Sequence, residues 1–307
     1  MTRSVFSMRP PLLVVLLLTA TAACARQAAE GDVHTGHVMT PPAAASMSTA
    51  IGGEAGLPAG AVDVATRLAR SPRHGEWAMI RTGPADSVRA WIVYPERSTK
   101  APVVLVVHEI YGLSTWVRGV ADQLAADGFI AIAPDLLTGK VAPAPGSDTL
   151  TQAAASASIR TLQTADVHRQ LAAIGQYGMA LPAAEKRYGT VGFCWGGSTS
   201  FMHAVTSPPG LGASVVYYGS SPADSVLPRV RVPVLGLYAG DDARVNATIA
   251  PAEAAMRALD KPYQTNVFAG AGHGFLRQQD GKAGANLTAS RQAWPLTLAF
   301  FRTHLGR

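Results

Sequence analysis

The sequence predicts a single α/β domain built on a mostly parallel, doubly wound sheet with helices on both faces. Short runs that are apolar at every position alternate with longer stretches that have helical apolar spacing. Runs of the first kind are typical of strands buried on both faces, as in a parallel sheet. Strand-then-helix repetition with right-handed crossovers places the helices on both sides of that sheet.

The individual elements follow from the same patterns. Residues 76–81 and 88–94 flank a Gly-Pro-Ala-Asp turn at 83–86 and are predicted to form an antiparallel hairpin. The buried strands are predicted at 103–107, 129–133, 189–193, 214–218, 234–238 and 264–268. The helices are predicted at 116–127, 165–177, 197–205, 247–259 and 289–304.

The composition excludes several classes of function. Of the 307 residues, 48% are hydrophobic and 15% are charged, which is typical of a globular enzyme rather than a disordered chain. The net charge of +6 is spread without a long basic run, so no nucleic-acid partner is expected. The two cysteines, Cys24 and Cys194, do not form a CxxC or Cys/His zinc pattern, so no metal site is expected.

Residues 1–24 are typical of a bacterial export signal. Arg3 and Arg9 precede an apolar run at 12–18, which is too short to span a bilayer as a helix. Small residues before Cys24 resemble a lipobox, in which Cys24 is lipidated and becomes the mature N-terminus. Cleavage without lipidation and an uncleaved anchor are the alternatives. Each places the domain outside the cytoplasm, in the periplasm or anchored to a membrane.

Residues 25–74 are rich in Ala, Gly, Met, Pro and Ser and have no sustained apolar period. They are predicted to form a flexible tether. The catalytic domain is then predicted to begin at Gly75 and to extend to residue 307.

A cysteine between glycines is the first indication of chemistry. The segment Gly-Phe-Cys-Trp-Gly-Gly at 192–197 follows a predicted strand and opens a predicted helix. This is the pattern of a nucleophile elbow, G-x-S-x-G, with Cys194 in the place of serine. We expect the helix N-terminus to lower the thiol pKa and the Trp195 amide to face an oxyanion. A buried structural cysteine is the alternative.

Acidic and histidine candidates follow in the order expected of this elbow. Asp241 and Asp242 come directly after the strand predicted at 234–238, and His273 comes after the last predicted strand. The nucleophile, the acid and the histidine therefore occur in the chain order of such hydrolases, at the carboxyl edge of the sheet. The pattern predicts a triad of Cys194, one of the two aspartates, and His273.

Four segments together resemble the dienelactone hydrolase family. They are His-Glu-Ile-Tyr-Gly at 108–112, Ala-Pro-Asp-Leu at 133–136, the cysteine elbow at 192–197, and His-Gly-Phe at 273–275. The resemblance covers nearly the whole domain and implies an α/β-hydrolase fold without a metal or an organic cofactor. It also implies hydrolysis of enol lactones or activated esters, as in a carboxymethylenebutenolidase, on a small and possibly anionic substrate.

The resemblance implies roles for individual residues. Cys194 matches the nucleophile and His273 the base. Asp242 matches the orienting acid because Val245 stands three residues further on, and Asp241 is the rival. Glu109 matches a carboxylate that helps to control the protonation of the thiol.

The resemblance also implies how the substrate is held. The backbone amides of Ile110 and Trp195 match the oxyanion donors. Arg277 matches an arginine that binds a substrate carboxylate, and Arg160 is the candidate for a second one. Tyr111 is a candidate for the pocket wall.

Two other functions remain open at the level of sequence. One is a general carboxylesterase or thioesterase that uses the same triad. The other, from a different class, is a non-catalytic thiol redox sensor or binding protein, which needs neither the acid nor the histidine.

Overall fold

The computed structural model describes residues 53–140 and 146–306, all within one compact unit, Ser48–Arg307. The predicted export signal at 1–24, with Cys24, and residues 25–52 of the predicted tether lie outside the described residues. Among the residues described, none of the helices is both long enough and apolar enough to cross a membrane.

An eight-stranded sheet forms the centre of the described part of the chain. Its strands are β1 Gly75–Gly83, β2 Asp86–Val93, β3 Ala101–Val107, β4 Ile130–Pro134, β5 Ala184–Phe193, β6 Leu211–Tyr217, β7 Val234–Ala239 and β8 Tyr263–Phe268. Their spatial order is β1-β2-β4-β3-β5-β6-β7-β8. β2 pairs antiparallel with both β1 and β4, and the pairings from β4 to β8 are parallel. The predicted mostly parallel sheet is therefore confirmed.

Helices cover both faces of the sheet. They are α1 Val64–Ala69, α2 Thr115–Ala126, α3 Gln152–Ile159, α4 Thr164–Ala180, α5 Trp195–Thr206, α6 Ala243–Asn246, α7 Ile249–Ala258 and α8 Ala285–Leu305. α1, α2 and α8 bury their apolar residues in the core on one face. α4, α5 and α7 bury theirs in the core on the other face. This arrangement confirms the doubly wound α/β-hydrolase fold.

The central strand β3 explains why continuous apolar runs predict this sheet. Val104 and Val106 belong to the core on the α2 side, and Leu105 and Val107 belong to the core on the α4 side. All four side chains are fully buried. Because successive side chains of a strand point to opposite faces, a strand covered on both faces must be apolar at every position.

Residues 54–63, here named the N-terminal strap, were predicted to be part of a flexible tether, but they pack against the folded domain. Leu57 and Ala59 in the strap and Val64 at the start of α1 are buried in the α2-side core. A Cβ atom on Gly119 of α2 would lie 2.2 Å from Val64 Cγ2, so glycine at 119 permits the close contact of α1 with α2. The folded domain thus begins before Gly75. The burial of Leu57, Ala59 and Val64 depends on tertiary contacts, and these residues form no periodic apolar pattern in the sequence.

Candidate active site

Cys194 lies at a sharp turn between β5 and α5. Its φ of 57° and ψ of −115° lie in a region that non-glycine residues seldom adopt. A Cβ atom on Gly192 would lie 1.9 Å from the Gly196 carbonyl oxygen, and one on Gly196 would lie 2.3 Å from the Val107 carbonyl oxygen. Both glycines are therefore required for the strand and the helix to approach, which is the steric basis of a nucleophile elbow.

The surroundings of Cys194 disfavour its thiolate form. Burial raises the pKa of the Cys194 thiol above its usual value, and the charge of Glu109 raises it further. The backbone N–H of Trp195 interacts with the side chain and lowers the pKa by a smaller amount. The expectation that the helix N-terminus lowers the thiol pKa is therefore wrong in net direction, because desolvation and a nearby carboxylate outweigh it.

His273 and Asp242 form a close pair at the carboxyl edge of the sheet. His273 Nδ1 lies 2.5 Å from Asp242 Oδ2, and Asp242 is buried. The other Asp242 oxygen accepts a long 3.4 Å hydrogen bond from the Val245 amide at the start of α6. Asp241 instead pairs with Lys282 at 3.0 Å in an exposed position. The geometry thus brings Asp242, and not Asp241, to the histidine.

Glu109 forms a buried ion pair with Arg277. Glu109 Oε2 lies 2.6 Å from Arg277 Nε, although the N–H direction falls outside hydrogen-bond geometry. Burial raises the pKa of Glu109 to about 7, and the Arg277 charge opposes that rise. The Arg277 guanidinium also lies 5.2 Å from the centre of the Tyr111 ring. The arginine predicted to bind substrate is thus occupied by a carboxylate of the protein itself.

The two amides proposed for the oxyanion belong to neighbouring strand ends. Ile110 follows β3 and Trp195 follows β5, and these two strands are paired in the sheet. The loop after β3 is fixed by a polar chain in which Leu113 N–H donates to Ser147 Oγ, which donates to Asp135. A rigid loop of this kind can hold an amide in place before substrate arrives.

His108 supports the same loop from within the core. It is fully buried, its Nδ1 lies 2.8 Å from the Glu109 carbonyl oxygen, and its Nε2 lies 3.3 Å from the Leu136 amide. Its ring stacks on the Trp195 ring with 5.6 Å between centres. These contacts fit a structural histidine that joins the loop to the elbow.

Arg160 and Tyr111 have different positions relative to the site. Tyr111 lies beside Arg277, as described above. Arg160 is exposed at the C-terminal end of α3, and in the described part of the chain no side-chain hydrogen bond or ion pair involves it. Residues of α3, including Ile159, form an apolar cluster with Ile110 and Trp195. α3 therefore packs against the candidate site through Ile159. Within the described residues, the Arg160 side chain makes no hydrogen bond or ion pair there.

Tyr218 is a site residue that the sequence did not reveal. It directly follows β6, has a φ of 40°, and is almost fully buried. Its ring lies 5.2 Å from the His273 ring, and its hydroxyl has no hydrogen-bond partner within the described residues. Burial and the charge of Glu109 raise the pKa of Tyr218 well above its usual value. In the sequence this residue is the last member of an apolar run, which predicts only a strand.

No group of three or more potential metal ligands occurs within residues 53–140 and 146–306. The chemistry that the described residues offer is therefore that of a thiol, a histidine–aspartate pair, and a buried carboxylate beside an arginine. These groups suit nucleophilic attack on an acyl carbon followed by hydrolysis.

Comparisons with known proteins agree with this arrangement. The sequence profile of the Dienelactone hydrolase family matches residues 88–305. "Putative carboxymethylenebutenolidase" of Methylorubrum extorquens is 30% identical over 231 residues, which cover 71% of this chain and 77% of that protein. The protein of the same name from Salmonella typhi is 28% identical over 284 residues, which cover 81% of this chain and 97% of that protein.

A solved structure shows the same fold. The "Putative Dienelactone Hydrolase" from Klebsiella pneumoniae superposes with a TM-score of 0.66 at 25% identity, covering 76% of this chain and 99% of that one. The family profile spans well over half of the chain, and the elbow, the sheet and the strand-end residues lie within the matched part. The chain therefore belongs to the dienelactone hydrolase family and is a hydrolase of ester or lactone bonds.

Proposed function

We propose that the chain hydrolyses enol lactones or activated esters with Cys194 as the nucleophile, His273 as the base and Asp242 as the orienting acid. The observation that carries this proposal is the strained Cys194 elbow at the same sheet edge as a His273–Asp242 pair only 2.5 Å apart. An aspartate at Nδ1 holds the imidazole in the tautomer that leaves Nε2 free to accept a proton.

The first step is deprotonation of the thiol, and Glu109 is the proposed acceptor. A substrate carboxylate that binds Arg277 competes with Glu109 for the guanidinium. Glu109 then remains buried without its cation, so its affinity for a proton rises. Transfer of the thiol proton to Glu109 leaves a thiolate at Cys194 where the substrate carbonyl is held.

The second step forms and breaks the acyl bonds. The Cys194 thiolate attacks the carbonyl carbon, and the resulting oxyanion accepts hydrogen bonds from the Ile110 and Trp195 amides. Collapse of this intermediate breaks the C–O bond and leaves a thioester. The departing enolate takes the proton that Glu109 received from the thiol, which returns Glu109 to its carboxylate form. His273 then removes a proton from water, the hydroxide attacks the thioester, and the C–S bond breaks. The proton on His273 returns to the thiolate.

The substrate class follows from the nucleophile. A thiolate is a better leaving group than an alkoxide. The tetrahedral intermediate that a thiolate forms with an unactivated alkyl ester therefore mostly expels the thiolate again and returns to the ester. An enolate or a phenolate leaves readily and needs little protonation. We therefore assign enol lactones and aryl esters, with a carboxylate near the scissile bond, as the preferred substrates.

Replacement of the nucleophile tests the proposal. Cys194→Ala should lower hydrolysis of a dienelactone and of an aryl acetate by at least about 10³-fold, because both steps require the sulfur. Rapid-quench mass spectrometry of the natural enzyme should show an acyl adduct on Cys194 during turnover. A Cys194→Ala variant that keeps its folding and most of its activity would contradict the triad. Turnover of simple thioesters in preference to lactones would instead indicate a thioesterase.

We also propose that residues 1–24 export the chain and that Cys24 becomes a lipidated N-terminus. The support is the arginine-flanked apolar run at 12–18 and the small residues before Cys24. The enzyme would then act in the periplasm or at a membrane surface. A single acyl chain gives only weak attachment, so stable anchoring requires more than one chain.

A further inference from the structure

The N-terminal strap lies against the loop that carries His273 and Arg277. The Ala61 N–H donates a 2.8 Å hydrogen bond to the Arg277 carbonyl oxygen. The side-chain amide of Gln279 donates to the Pro58 carbonyl at 2.7 Å and to the Leu276 carbonyl at 3.0 Å. The strap is therefore bonded to this loop at two points, once through the loop backbone at Arg277 and once through the Gln279 side chain.

Packing brings the two backbones into direct contact. A Cβ atom on Gly60 would lie 3.4 Å from the Arg277 carbonyl oxygen, which is close for such a contact. Leu57 is 5% exposed and shares the α2-side core with Phe275 and Leu276 of the same loop. A shift of the strap would therefore have to move the loop with it.

The strap is also joined to α2 through α1, the helix that directly follows it. The Arg67 guanidinium donates to the Leu57 carbonyl at 2.6 Å and to the side chain of Gln123 in α2. Val64 packs closely against Gly119 of the same helix. α2 begins at Thr115, shortly after the loop that carries Glu109. The strap thus joins the supports of Glu109 and of Arg277, the two partners of the buried ion pair.

We propose that the N-terminal strap is a positioning element that sets the distance between Arg277 and Glu109 and thereby controls deprotonation of Cys194. This inference rests on the proposed function of that pair. The Nε and Oε2 atoms are 2.6 Å apart with an unfavourable N–H direction, so a small displacement of the loop changes their interaction. The strap lies before residues 88–305, which the family profile matches.

Two substitutions at Ala61 separate positioning from general stability. Ala61→Pro removes the N–H that donates to Arg277, and the exposed position leaves room for the ring. Ala61→Gly is the matched control, because it keeps the N–H while loosening the backbone. We expect Ala61→Pro to lower kcat/KM for an anionic lactone about tenfold and Ala61→Gly to stay within about twofold of the natural enzyme.

The pH dependence of Cys194 alkylation separates a positioning role from a purely structural one, because a purely structural role of the strap would leave this pH dependence unchanged. The rate of Cys194 alkylation by iodoacetamide should be measured against pH for both variants. A weaker Arg277 contact favours protonated Glu109, whose neutral form no longer raises the pKa of the Cys194 thiol. The profile of Ala61→Pro should therefore shift to lower pH by about half a unit or more. The charged or titratable groups facing Glu109 and Cys194 are Arg277, Tyr218, Asp242 and Arg244, and none belongs to the strap.

The outcomes distinguish the strap from the triad. Equal kinetics and equal pH profiles for Ala61→Pro and Ala61→Gly, with Cys194→Ala inactive, would overturn the strap proposal and leave the proposed function intact. An active Cys194→Ala variant would overturn both. If Ala61→Pro fails to fold, Gln279→Met removes the bond to Pro58 and should produce the same shift. An unchanged profile in a folded Gln279→Met protein would also overturn the proposal.

Discussion

Two adjacent aspartates have different surroundings, and their replacement should have different effects. Asp242 is buried against His273, whereas Asp241 is exposed and pairs with Lys282. Asp242→Asn should lower kcat by about 10³- to 10⁴-fold, because the amide favours the wrong imidazole tautomer. Asp241→Asn removes only a surface ion pair and should leave kcat within about twofold. Steady-state hydrolysis of an aryl ester measures kcat for both variants. A large loss of kcat in Asp241→Asn would refute the assignment of Asp242 as the orienting acid.

Arg277 and Arg160 offer a second comparison at the scale of single residues. Arg277 is held beside Glu109 and Tyr111, whereas Arg160 is exposed at the end of α3. Arg277→Met should lower the ratio of kcat/KM for anionic over neutral esters by about tenfold or more, since a charge-assisted bond is lost. Arg160→Met should leave the ratio nearly unchanged. If Arg160→Met lowers the ratio as much, Arg160 binds the substrate carboxylate as well.

At the scale of elements, α4 and α5 bring two histidines together in the core. His168 and His203 stack with 5.7 Å between ring centres, and His203 Nε2 lies 3.0 Å from the Tyr188 hydroxyl. Burial lowers the pKa of His168 to about 4 and, together with the charge of His168, that of His203 to about 3. The folded state therefore binds fewer protons than the unfolded state below the usual histidine pKa of about 6.5.

This difference makes the packing of α4 on α5 sensitive to acid. Stability should be retained above about pH 6.5 and lost as the pH falls towards 4, by about 2 kcal/mol per histidine at pH 5. His168→Phe keeps a stacked ring without a titrating group and should reduce the loss between pH 7.5 and pH 5 by about 1–2 kcal/mol. The exposed residue His74 supplies the control, His74→Phe. Urea unfolding at both pH values tests this, and equal losses in all three proteins would contradict it.

At the scale of the whole molecule, the proposed export signal predicts where the protein is found. Mature protein should lack residues 1–23 and carry acyl chains on Cys24. Cys24→Ala should move the enzyme from the membrane fraction without changing its hydrolysis rate in detergent, because Cys24 lies outside the catalytic residues. Mass spectrometry and fractionation of cells that express the full chain measure this. An intact Met1 in the cytoplasmic fraction would contradict the signal.

The sheet could be predicted from the sequence because its strands are apolar on both faces. The runs at 103–107 and 234–238 have no other reasonable interpretation in a chain of this composition. α3 could not be predicted, since its sequence QAAASASI has no large apolar stripe. The strap could not be predicted either, because Leu57 and Ala59 are buried by residues that are distant in sequence, such as Val117 of α2 and Phe275 of the catalytic loop.

The sequence predicts that the candidate residues lie at strand ends, but it does not predict their electrostatic surroundings. The order of Cys194, Asp242 and His273 along the chain follows from strand ends and glycines, which are visible in the sequence. The raised thiol pKa, in contrast, depends on how much water each side chain loses and on the charge of Glu109. Tyr218 was not predicted as a site residue, because a tyrosine at the end of an apolar run indicates only a buried strand.

The raised pKa of the Cys194 thiol has a consequence for its reactivity with oxidants. Peroxides and disulfides react with thiolates and hardly at all with thiols. Burial and the Glu109 charge both raise the pKa of this thiol, which favours the thiol over the thiolate when no substrate is bound. In the mechanism proposed above, a substrate that binds Arg277 would generate the reactive thiolate. We therefore expect the Cys194 thiol, in the absence of substrate, to react more slowly with an oxidant than an exposed cysteine with an ordinary pKa does.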